Sequence, residues 1–308
     1  VQIDLHKNTA FILTLAVALG FLLPGPAERI EPLVIPALFL MMAFSMAGID
    51  LGLPPIRGAM AGFLINYLFL SGLILSIAPL VLEEEALVLG FVVMAAVPPA
   101  VAVVPLTKLL AGDVRLALYS EALSYLASLA LTPLIVLLFA GEAGAGVRVG
   151  DTLELVLLLI LLPLLVSRYV DRLRIDPAHP INAGLFTVTY IVVGLNSEAI
   201  SIKAAGVAGV LLIAFVRTFA SGAIVYAASA LAGVERPQRV ALTLFGSFKN
   251  LGLAATVGLL LFGPRAAVPA AVCILTETGF YILLSALAGR RRRGADSSSP
   301  STATSTQR

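Results

Sequence analysis

Four ionisable residues stand inside long apolar runs of this 308-residue chain: Glu121, Arg217, Lys249 and Glu277. Each costs at least ~2.5 kcal/mol near a bilayer centre even on permissive insertion scales, so such residues mark substrate or ion pathways by default. Their charges sum to zero, which predicts that Glu121 and Glu277 each pair with Lys249 or Arg217. The plainer alternative is two buried salt bridges that only fix helix packing. A buried Lys or Glu also changes protonation state readily enough to carry a coupling proton. Asn66, and Thr276 and Thr278 flanking Glu277, add neutral polar groups able to face the same cavity. Asn250, beside Lys249, is placed to bind a carboxylate, provided that Arg217 neutralises Glu277.

These residues need a frame, and the composition names it. The chain is 59% hydrophobic and only 12% charged, about half the charge of a soluble domain. Runs of ~20 apolar residues recur from end to end, each long enough to span a bilayer. The alternating pattern of an outer-membrane barrel is absent. The reading is an all-α polytopic protein of the cell membrane, whose partners are the lipid bilayer and a small organic solute. No basic face serves nucleic acid, and nothing points to a protein partner. One cysteine, Cys273, excludes a disulfide framework, and His6 and His179 are too few for metal chemistry. The first run reads as a retained helix rather than a signal peptide.

Ten spans are predicted at roughly 9–24, 32–48, 58–82, 86–110, 115–140, 152–169, 181–197, 204–232, 238–262 and 265–288. Glu83-Glu84-Glu85 reads as a solvated loop, and Asn196, Ser197 and Glu198 as the end of span seven. Residues 289–308 read as a disordered cytoplasmic tail, opened by the lipid-attracting cluster Arg290–Arg293. Fourteen Lys and Arg fall on one side of the membrane and four on the other, which places both termini in the cytoplasm. The spans divide into two repeats, 1–140 and 151–288. Five is odd, so the second repeat is inverted, a recurring transporter plan.

The fourth span of each repeat carries an irregularity at one depth. Pro99 precedes Gly112 by thirteen residues, as Asn250 precedes Gly263. Pro98, Pro99 and Pro105 each lack an N–H and obstruct the preceding turn, so span four is predicted to break. Backbone freed at that depth is tolerated where protein or a water-filled cavity satisfies it. Two such breaks at matching positions mark a binding site.

Three stretches carry a resemblance: Met41 to Gly48 (MMAFSMAG), Leu109 to Leu134 (LLAGDVRLALYSEALSYLASLALTPL) and Ser247 to Ala271 (SFKNLGLAATVGLLLFGPRAAVPAA). In order and spacing they resemble the bile acid:sodium symporter (BASS) family, within the bile/arsenite/riboflavin transporter group. The resemblance covers residues 9–288. It implies a panel domain (spans 1, 2, 6, 7), a core domain (spans 3–5, 8–10), crossing broken helices four and nine, and uptake of organic anions with sodium. Carried over residue by residue, it puts the substrate contacts at Asn250, Glu277 and Thr278, with Lys249 beside them. The ion positions fall on Val103, Val104, Ala117, Glu121, Phe245, Lys249 and Asn66.

Several of these replacements lack the side-chain oxygens that a hard cation needs. Lys249 instead brings a fixed ammonium, with Glu121 its expected counter-charge and Arg217 nearby. No cofactor is implied, and sodium coupling is disfavoured. The function expected is a secondary transporter, proton-coupled or sodium-independent. Its alternatives are a sodium symporter using backbone ligands, an intramembrane enzyme acting on lipid, and a channel. The enzyme lacks a catalytic cluster, and the channel lacks a filter segment.

Overall fold

In hydrocarbon the backbone has no water to bond, so each Leu-, Ala-, Val- and Ile-rich run closes its hydrogen bonds on itself as a helix. The computed structural model describes residues 9–47, 56–140, 158, 162–195, 197 and 206–297, and its regular elements there are all helical. Helix α1 (Thr9–Leu22) turns at Leu23-Pro24 into α2 (Gly25–Ile30) and α3 (Val34–Met46), a bend of 112°. Helices α4 (Ile56–Leu64) and α5 (Ser71–Val81) form one rod through a π-helical turn, Ile65–Leu70. Helices α6 (Glu85–Ala96) and α7 (Val103–Leu109) are separated by a break, and α8 (Val114–Ala140) follows.

After α9 (Leu162–Val170) and α10 (Ala178–Leu195), the pattern of rod, break and long helix returns. Helices α11 (Val207–Phe215) and α12 (Ser221–Leu231) join through a second π-helical turn, Val216–Ala220. Helices α13 (Arg236–Phe245) and α14 (Leu251–Phe262) flank a second break, and α15 (Pro264–Ser297) closes the order.

Five described helices are long and apolar enough to cross a membrane: Ile56–Val81, Val114–Ala140, Ala178–Leu195, Ala208–Leu231 and Arg265–Leu287. The bent pair of α1 with α2–α3 raises this to six if it is one span. The predicted spans four and nine are each two shorter helices. Half of the predicted span six lies outside the described residues. The tail expected to be disordered from 289 is helical to Ser297, because Ala and Arg favour helix and no proline intervenes; residues 298–308 lie outside the described residues.

Helices α1, α3, α9 and α10 pack in sequence, α1 on α10, α10 on α3 and α3 on α9. Helices α4, α6 and α7 pack on α8, and α14 on α15 and α6. Small residues permit the close approaches. A Cβ at Gly90 would stand 2.3 Å from the Ala266 carbonyl oxygen, which lets α6 lie against α15. The outer faces stay apolar, with Leu68, Leu80 and Leu231 each more than 70% exposed, as surfaces solvated by lipid require.

Candidate functional site

The break between α6 and α7 leaves helical bonding at residues 97–102. Pro98 and Pro99 offer no N–H, so carbonyls at the end of α6 lose their usual donors. Each named carbonyl is met from elsewhere. Ser71 Oγ donates to Ala95 O at 2.6 Å and Thr132 Oγ1 to Ala96 O at 2.9 Å. Lys249 Nζ donates to Ala95 O at 3.1 Å and Val97 O at 2.9 Å. The Asn250 amide donates to Pro98 O at 2.9 Å. Pro105 does not break the helix as predicted. It sits in the first turn of α7, where the backbone N–H has no helical acceptor to lose.

The second break, residues 246–250, is held by side chains. Asn66 Nδ2 donates to Phe245 O at 2.9 Å and Phe248 O at 3.0 Å. Arg217 donates to Ser247 O. Asn250 Oδ1 caps α14 by accepting the Leu253 N–H at 3.0 Å, and its Nδ2 donates to Tyr125 Oη at 2.9 Å. The two breaks therefore touch, joined by Lys249 and Asn250.

Lys249 is fully buried. Around Nζ stand Asn66 Oδ1 at 2.8 Å, Ser71 Oγ at 2.9 Å, Val97 O at 2.9 Å and Ala95 O at 3.1 Å. The Tyr67 ring centroid lies 4.5 Å from Nζ, a cation–π distance. An ammonium has three donors and no acceptor, so four oxygens and a ring face make a complete cage for it. None of the four oxygens belongs to a carboxylate.

Glu277 is only 6% exposed, and its Oε1 accepts from Arg217 and, at 3.0 Å, from the Lys249 backbone N–H. Arg217, at 0% exposure, also reaches Met94 Sδ at 3.4 Å. Glu121 departs from the expected pairing. It is fully buried on α8, and among the described residues no hydrogen bond reaches either carboxyl oxygen. The Val104 amide lies beside it, and neither Lys249 nor Arg217 approaches. Both cations are held elsewhere, Lys249 by Asn66, Ser71 and the first break and Arg217 by Ser247 and Glu277.

A cavity of about 180 Å³ opens where α1, α3 and α10 face the two breaks and α15. Lys249, Asn250, Glu277 and Thr278 line it, opposite Met41, Leu185 and Thr189. Asn66, Glu121, Arg217, Pro98, Pro99 and Pro105 are not on its wall. Asn66 and Arg217 sit behind the wall, and Thr276 turns toward Thr218 at 3.2 Å. Sequence reasoning missed Ser71, Tyr67, Tyr125 and Ser247. Ser71 had a usable signal, since it is a hydroxyl inside an apolar run five residues after Asn66, and its Oγ donates to Asn66 O at 3.1 Å. Among the described residues no group of three His, Cys, Asp or Glu could hold a metal ion.

Comparison with known proteins gives one family. A model described as the SBF-like CPA transporter family matches residues 8–293. No curated protein matches the chain.

Proposed function

We propose, from the premise that the chain belongs to the SBF-like CPA transporter family, that it moves a small organic anion across the cell membrane by alternating access, without sodium. In this reading the ten helices form two inverted five-helix repeats with both termini in the cytoplasm. The 9-residue and 11-residue arms around each π-helical turn, and the break that follows each, support that arrangement. The panel would be the α1–α3–α9–α10 group, and the cavity would be the crevice between panel and core.

The observation that carries the coupling reading is the cage around Lys249. A transporter that binds sodium at its crossover needs oxygens from both broken helices to converge on the ion. Here carbonyls of the first break and side chains of α4–α5 converge on an ammonium covalently tied to the second break. The cation is built in. Substrate anion is favoured by the N-terminus of the 12-residue helix α14, which begins on the cavity wall. Glu277 does not oppose it, because Arg217 neutralises its carboxylate.

The test is uptake and binding in proteoliposomes, screened over small organic anions in sodium and in choline. Equal affinity in both supports the reading. Lys249→Gln should weaken binding in both salts. A strong sodium requirement in the wild type would overturn it and would mean that backbone carbonyls still build a sodium site.

A further inference from the structure

A second cavity, of about 340 Å³, lies away from the crossover between α12, α13 and α15. Its wall includes Ala223, Tyr226, Val240, Phe280 and Leu283. Its floor exists because residue 222 has no side chain: a Cβ there would stand 2.5 Å from Phe280 Cζ. The surface around it is apolar and outward, with Leu283 at 44% and Leu287 at 48% exposure. In a bilayer such a face meets hydrocarbon rather than water.

One end of this groove is cationic. Arg236 lines it, and Arg239 follows three residues later on the same face of α13. The Arg239 guanidinium lies 5.3 Å from the Tyr226 ring centroid, while its Nε has no hydrogen-bond partner. Among the described residues neither arginine is within ion-pair reach of a carboxylate. Two unpaired guanidiniums at the first turn of a ten-residue helix, above an apolar slot, match a phosphate with an acyl chain attached.

From this we infer that the groove binds one anionic phospholipid, with an acyl chain against Phe280 and Leu283 and the phosphate between Arg236 and Arg239. The bound lipid would tie α12 and α15 to α13, the first arm of the second broken helix. A zwitterionic lipid would present the same phosphate with a cation beside it and gain less.

The experiment is native mass spectrometry of the full chain in detergent, titrated with phosphatidylglycerol and separately with phosphatidylcholine. The expected result is one retained phosphatidylglycerol, bound roughly ten-fold more tightly than phosphatidylcholine. R236Q/R239Q should abolish the preference. Ala223→Phe, which fills the slot and keeps both charges, should reduce retention of both lipids. Glycerol 3-phosphate should not compete, because it lacks the chain. Equal affinity for the two lipids in the wild type, or full competition by glycerol 3-phosphate, would overturn the proposal. That wild-type comparison stands even if a variant fails to fold.

Discussion

The two breaks lie in contact but are built from opposite materials. The first, Val97 to Ala102, contains no polar side chain and creates its free carbonyls by proline. The second, Gly246 to Asn250, contains no proline and supplies Ser247, Lys249 and Asn250. One break offers acceptors and the other offers donors, so Lys249 and Asn250 satisfy the first break across the crossover, while Asn66 and Arg217 satisfy the second. The same asymmetry separates the two π-helical turns. Asn66 occupies the second position of one and Arg217 the second position of the other, and both reach the carbonyls of the second break. The difference teaches that matching positions in two halves need not hold matching chemistry. Each half is completed by the other.

The largest expected effect comes from removing the charge that serves Glu277. Arg217→Leu leaves a buried carboxylate without its counter-charge, holding only the Lys249 N–H, and the Ser247 carbonyl without the Arg217 donor, and should cost about 3–5 kcal/mol in thermal or denaturant unfolding in detergent. Arg217→Leu with Glu277→Leu should recover part of that loss. A double variant no better than the single would break the pairing assigned here.

Next comes Lys249→Ala, which empties the cage and takes a donor from carbonyls of the first break and from Asn66 and Ser71 of the α4–α5 rod, at about 1–3 kcal/mol for each one left dry. Transport should fall to background. Added ammonium should restore part of the stability and choline none, because only the smaller ion fits among four oxygens. Rescue by neither would show that the cage holds the side chain and not its charge.

Asn66→Ala removes two donors to the second break and one acceptor from Lys249, and should cost about 1–3 kcal/mol. Pro98→Ala should cost less than about 1 kcal/mol, since the carbonyls near it already have donors from other helices. A loss as large as that of Asn66→Ala would mean that proline itself holds the first break open.

The smallest effect lies at the helix ends. Arg265 binds Glu84 through two nitrogens, Nε at 2.7 Å from Oε1 and Nη2 at Oε2, and holds that carboxyl below the usual carboxylate range. The pair's contribution is therefore present at neutral pH and lost as pH falls through the lowered value. Both side chains are more than one-third exposed, so Glu84→Gln should change stability by no more than about 0.5 kcal/mol. Unfolding at neutral and acid pH, on wild type and variant, checks the sign.

Much of this was legible in the residues alone. Apolar runs dictated helices because hydrocarbon leaves the backbone no other partner. Pro98-Pro99 and Lys249-Asn250 each mark a break, since one removes donors and the other places polar groups where none are solvated. The cost of burying Lys249 and Glu277 singled them out in the sequence, and both line the cavity beside the breaks.

The partners did not follow. Charge arithmetic paired Glu121 with Lys249, yet Ala95 and Val97 took the ammonium through carbonyls that every residue type carries. Backbone acceptors leave no trace in sequence, and one residue of register turns a helical side chain by about 100°. Which oxygens surround Lys249, and which carboxyl is left without a partner, was therefore decided only when the helices packed.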